Sequence, residues 1–111
     1  MEISFKNDRL RKDCLDGKRA TQLWGADAAA RLRRRLDDLR ALDTLEHAGK
    51  PPFRCHELKH DLAGKLAIDV HRGLRLVFVP ANEPVPRKAD GGLDWTKVTA
   101  ICIEMIGDYH D

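Results

Sequence analysis

Leu66-Ala67-Ile68-Asp69-Val70-His71-Arg72-Gly73-Leu74-Arg75-Leu76-Val77-Phe78-Val79 decides the fold. Leu66, Ile68 and Val70 recur at every second position and share one face of a strand. Residues 74–79 form a second apolar strand, and His71-Arg72-Gly73 between them is a connection of hairpin length. Downstream, residues 80–95 carry three prolines and the Gly91-Gly92 pair, a composition that predicts an exposed loop between strands. Residues 98–106 are largely apolar on both faces, which suits a central strand covered on one side by a helix.

Upstream of the hairpin the period changes from two to between three and four. Ala28, Leu32, Leu36, Leu39, Leu42 and Leu45 make one apolar stripe, which predicts a long helix starting after Trp24 and Gly25 with Asp27 as its cap. Arg31, Arg34, Arg35 and Asp38 lie opposite the stripe, a face that is either simply solvated or in contact with RNA or a partner. Gly49, Pro51 and Pro52 stop the helix, because proline disfavours helix in the residue before it. Asn7 caps a shorter helix with Leu10 and Cys14 on one side, ending near Gly17. Ile3 and Phe5 on one face of residues 2–6 mark an opening strand.

The predicted architecture is therefore α+β and a single domain spanning residues 1–111: a short N-terminal strand, then two helices packed on one face of a mostly antiparallel sheet of four or so strands. The opposite sheet face is left for a shallow functional surface. A chain of 111 residues has room for one core, not for a cofactor domain beside a substrate domain. Apolar residues at 42% and charged residues at 34% describe a globular protein with a heavily solvated surface. No run approaches the ~18 apolar residues of a membrane span. The first six residues carry no basic-then-apolar signal pattern, so a cytoplasmic location is expected. Cys14, Cys55 and Cys102 have neither zinc-ribbon nor Cys-x-x-Cys spacing and read as reduced, mostly buried thiols. Net charge is only +2, and residues 1–50 hold 12 basic and 9 acidic side chains against 8 and 9 in residues 51–111. Nucleic-acid contact must then use local patches rather than the field of the whole molecule.

Three features carry chemistry. His56 stands in Arg54-Cys55-His56-Glu57-Leu58-Lys59, and His110 in the terminal Asp108-Tyr109-His110. Histidine is the side chain best suited to proton transfer near neutral pH. Arg75, on the strand face of Val77 and Val79, is either an edge residue snorkelling to water or an anion ligand near the sheet centre. RNA cleavage without a metal needs a base for the 2′-hydroxyl, an acid for the departing 5′-oxygen and cations for the charge building on phosphate. Two histidines, an aspartate, a lysine and an arginine supply those parts, and Tyr109 can stack on a base.

His56-Glu57-Leu58-Lys59, the strand Leu74-Arg75-Leu76-Val77-Phe78 and the ending Gly107-Asp108-Tyr109-His110 resemble the HigB, or plasmid maintenance killer, family of the RelE/ParE toxin superfamily. The order of elements matches that plan along nearly the whole chain. The resemblance implies a RelE-like fold and the toxin of a type II toxin–antitoxin system. Its activity would be metal-independent mRNA endonuclease action on the ribosome, inhibiting translation with no cofactor. The implied partners are mRNA, the ribosome and a HigA-like antitoxin with a helix-turn-helix domain, with which it would form a hetero-oligomer; no membrane partner is implied. The implied catalytic residues are His56, Asp108, Tyr109 and His110, with Lys59 and Arg75 binding the scissile phosphate. The loop containing Glu83 to Asp94 is longer than the compact pattern of that family.

Two rivals have their own residues. His56-Glu57-Leu58-Lys59-His60 is His-Glu-x-x-His, the zinc-protease pattern, which requires both histidines on one face of a helix. Lys59 puts a positive charge between those ligands, and Arg54 and Gly64 leave no long apolar helix around them. A ParE-like toxin would share the fold and act by binding a topoisomerase, without RNA chemistry; the acid–base groups speak against it. His47 and His71 read as exposed helix-end and turn residues, Trp24 as a staple at the long helix's start, and Trp95 as an anchor for the loop's return to the sheet.

Overall fold

A computed structural model describes residues 1–108; Tyr109, His110 and Asp111 lie outside the described residues. Strand β1 (Glu2–Phe5) leads into helix α1 (Asp8–Leu15), and Asn7 caps it by accepting the Leu10 N–H at 2.8 Å. Helix α1 ends near Gly17 as the sequence predicts, but a further helix follows that the sequence reading did not include. Asp16 opens a second helix, α2 (Gly17–Trp24), its carboxylate accepting the N–H groups of Lys18 and Arg19 at 3.0 and 3.4 Å. Gly17 is thus the first residue of a helix, and among the described residues three α-helices, not two, lie between β1 and the remaining strands.

Helix α3 (Ala26–Ala41) starts from Gly25 at φ +92°, with no side-chain cap. Asp27 lies in its first turn rather than at its cap, where its charge still favours the helix N-terminus. The helix stops at Ala41, earlier than the apolar stripe implies. Leu42 is its C-cap and Leu45 sits in a separate 3-10 turn, Leu45–Ala48, still fully buried.

Among the described residues the sheet has five strands in the order β1-β5-β4-β3-β2, where β2 is His56–Glu57, β3 Leu66–His71, β4 Leu74–Pro80 and β5 Ala100–Gly107. Three neighbouring pairs are antiparallel, and β1 runs parallel to β5. The hairpin of β3 and β4 forms as its alternation predicts, with Leu66 opposite Phe78 and Ile68 opposite Leu76. Leu32, Leu36 and Leu39 of α3 bury against Ile68, Leu76, Phe78, Ile101 and Ile103, so the helices cover one face. Each such side chain contributes roughly 1.5–3 kcal/mol on leaving water.

Arg35 departs from the charged face assigned to it. It is 7% exposed, and its Nε donates to the Asp69 carbonyl at 3.2 Å, tying α3 to β3. Burial lowers its pKa, with Arg31 and Arg34 adding to the effect and Asp38 and Asp69 opposing it. Residues 81–99 are also more ordered than an exposed loop. Leu93 and Val98 are buried, Arg87 bridges to Leu93, and Asn82 accepts the N–H groups of Thr99 and Ala100 at the loop's base. Trp95 packs against the core and donates to Glu57 Oε2 at 3.3 Å, which anchors the return.

Candidate functional site

The sheet face turned away from the helices carries the candidate residues His56 and Arg75. Residues directly opposite in a ladder share a face, so the register places His56 with Ala67 and Val77, and Asp69 with Arg75. A bulge in β5, opposite Val77 and Phe78, leaves Glu104 as the extra residue beside Met105. Met105 packs with Leu58, Leu62, Ala67 and Val77 into a small apolar platform on this face.

Arg75 is aimed by Asp69: its Nε donates to Asp69 Oδ1 at 3.2 Å, with both side chains partly exposed. The ion pair holds the guanidinium on this face beside a carboxylate. Gly107 pairs with Arg75, which puts Asp108 beside the hairpin tip. A Cβ added to Gly73 would lie 3.2 Å from Asp108 Oδ1, and Gly73 has φ +84°. The positive φ favours glycine there, and a Cβ would press on the Asp108 carboxylate.

His56 lies about two residues, ~7 Å, along the sheet from the Asp69–Arg75 row. Its Nδ1 lies 3.0 Å from the Arg54 carbonyl. A carbonyl oxygen only accepts, so Nδ1 is the donor in this contact. Arg54 supplies that carbonyl from a left-handed backbone at φ +51°, an uncommon conformation for a bulky residue.

Lys59 is not brought to this cluster. Leu58 N–H donates to the Lys65 carbonyl, so β2 runs away from Asp69, and Lys59 is exposed beyond the far end of the platform. Lys65 is four residues, ~13 Å, from Asp69 along β3. Tyr109 and His110 lie outside the described residues. The sequence also left two pairs unmarked. Asp69, the one carboxylate in residues 66–70, was legible as an oddity in an apolar strand. The Lys65–Glu104 ion pair at the platform's edge depends on the β5 bulge, which no pattern of residue types announces.

The zinc-protease pattern does not have its helix. His56 is in β2, while His60 opens a 3-10 turn at φ +55°, so the two histidines do not share a helical face. Among the described residues no group of three or more His, Cys, Asp or Glu is placed to hold a metal ion. No helix among them is long and apolar enough to cross a membrane. Cys14 and Cys55 are buried free thiols, their pKa values pushed up by burial to about 12, and Cys102 is half-buried.

No family model and no curated protein matches this sequence. Solved structures do. A YoeB–YefM complex from Staphylococcus aureus contains a chain that superposes with a TM-score of 0.56 at 15% identity, covering 100% of this chain and 98% of that one. A YoeB/ParE toxin from Agrobacterium tumefaciens superposes with a TM-score of 0.57 at 10% identity, covering 99% and 100%. At these identities the likeness establishes the fold: three helices on a five-stranded, mostly antiparallel sheet, as in toxins of the YoeB/ParE type.

Proposed function

We propose that this chain is the toxin of a type II toxin–antitoxin pair and a metal-independent endoribonuclease of HigB type, cutting mRNA on the ribosome in the cytoplasm. The observation that carries this is the Asp69–Arg75 pair on the open sheet face, with His56 and Asp108 on either side of it. A cation aimed by a carboxylate, on the same face as a histidine held by a backbone carbonyl, supplies parts that phosphate cleavage by a neighbouring hydroxyl requires.

In this mechanism one of His56 and His110 takes the proton from the 2′-hydroxyl. The 2′-oxygen attacks the adjacent phosphorus, and the bond to the 5′-oxygen breaks to leave a 2′,3′-cyclic phosphate. The other histidine protonates the departing 5′-oxygen. Arg75 balances charge on the phosphate, Asp108 orients the acid–base pair and Tyr109 stacks on a base. Lys59, set apart from Arg75, contacts a neighbouring phosphate instead of the scissile one. A HigA-like antitoxin with a helix-turn-helix domain is the proposed partner, in a hetero-oligomer.

Purified protein added to ribosomes translating a defined mRNA tests the proposal. Fragments ending in 2′,3′-cyclic phosphate are expected. Fragments ending in 3′-hydroxyl would overturn the mechanism, and intact mRNA would favour the ParE-like, target-binding alternative.

A further inference from the structure

A groove runs from Arg75 over the hairpin tip to the first half of α3. Its inner part is lined by Arg31, Asp69, His71, Arg72 and Arg75, and its outer part by Asp27, Arg31, Arg34, His71 and Arg72. Arg31, Arg34 and Arg72 are exposed, and none has an ion-pair or hydrogen-bond partner for its side chain among the described residues. Of the two carboxylates on the groove, Asp69 is engaged by Arg75, and Asp27 sits at the N-terminal turn of α3. Arg31 and Arg34 stand close enough to Arg35 to depress its pKa alongside burial.

Arg72 carries a second signal. It occupies the hairpin turn at φ +46°, beside Gly73 at φ +84°. Turns with two left-handed residues favour Asn-Gly, and a bulky side chain there costs roughly 1–2 kcal/mol. That strain places a guanidinium directly between α3 and Arg75. The groove has no Phe, Tyr or Trp and its outer part is lined mainly by polar atoms, whereas a protein partner needs a buried anchor to hold on to. A solvated chain of phosphates needs only cations in a row.

We propose that Arg31, Arg34 and Arg72 form a phosphate track leading the RNA backbone from Arg75 across the hairpin tip onto α3. The inference rests on the RNA-cleavage reading and adds the path of the strand and the residues that hold it.

The test is binding of a short, fluorescently labelled 2′-O-methyl RNA, which cannot be cut because its 2′-oxygen is blocked, over a series of salt concentrations. Arg31→Gln, Arg34→Gln and Arg72→Asn are compared with the wild type, alongside thermal melting and mRNA cleavage. Each replacement is expected to weaken binding roughly fourfold at physiological salt and to reduce the slope of log affinity against log salt by about 0.7. Arg72→Asn, which suits the left-handed turn, is expected to melt no lower than the wild type while binding more weakly. Variants that bind as the wild type does, in a protein that still cleaves mRNA, would overturn the track and leave the nuclease standing. Unchanged RNA affinity with weakened antitoxin affinity would overturn it in favour of an acidic protein segment. A wild type that neither binds nor cuts RNA would overturn both.

Discussion

Arg75 Nε donates to Asp69 Oδ1 at 3.2 Å across the β3–β4 ladder, while the carbonyl of the same Asp69 accepts from the buried Arg35 on the sheet's other side. One residue therefore links the helix layer to the cation of the proposed site. In the account given above, Asp69 is a positioning residue and Arg75 touches the phosphate. Arg75→Ala is expected to lower mRNA cleavage by about 10²–10³-fold, the usual effect of removing one aimed donor. Asp69→Ala is expected to cost roughly tenfold or more, and the double variant no more than Arg75→Ala alone. Single-turnover cleavage of the three proteins checks this; additive losses would mean that Asp69 does not act through Arg75. Because the ion pair is partly exposed, these changes should shift stability by no more than about 1 kcal/mol.

Arg35 makes the opposite prediction. It is remote from the open face, and its guanidinium is the buried charge that joins α3 to β3. Arg35→Ala is expected to destabilise the fold by about 2 kcal/mol, since a hydrogen bond from a charged donor is lost along with the packing of its stem. A urea titration reads this directly, and an unchanged midpoint would show that the tether contributes nothing net.

Gly73→Ala tests the close approach at the hairpin tip. The new Cβ would lie 3.2 Å from Asp108 Oδ1 on a backbone at φ +84°. A loss of roughly 1–2 kcal/mol is expected from the backbone alone, together with a fall in cleavage as Asp108 is displaced. Stability measured by melting and activity measured on the same preparation should both drop; a fall in stability alone would remove Asp108 from the chemistry.

The buried thiols fix how stability changes at high pH. Burial raises Cys14 and Cys55 from an ordinary 9.0 to about 12. Between those values the unfolded chain loses thiol protons that the folded chain keeps, so stability falls as pH rises. Below pH 9 both states hold the protons and the slope from these groups vanishes. Denaturation midpoints measured from neutral to alkaline pH should decline above about pH 9, and less steeply in Cys14→Ala and Cys55→Ala proteins. Equal slopes in all three would contradict the raised values.

The hairpin was legible in the sequence because Leu66, Ile68 and Val70 alternate and a hairpin-length turn joins them to a second apolar run, and the α3 stripe because its apolar residues repeat every three or four positions. Helix α2 was not, since Gly17 follows a capping aspartate that equally well ends one helix and starts the next. Arg35 adjoins the leucine stripe at the boundary between buried and exposed faces, and only tertiary packing decides its side. Strand β2 is two residues long and left no period to read. For the site, His56 and Arg75 stood out by residue type and company, whereas the distance of Lys59 from Arg75 depends on the direction in which β2 pairs with β3.

The most direct test is 5′-end mapping of cellular mRNA after brief expression of the wild type, of Arg75→Ala and of the chain truncated after Gly107. New ends inside translated reading frames are predicted with the wild type and absent with the other two. Growth arrest by the wild type without new mRNA ends would contradict the nuclease and point to a toxin that acts by binding its target.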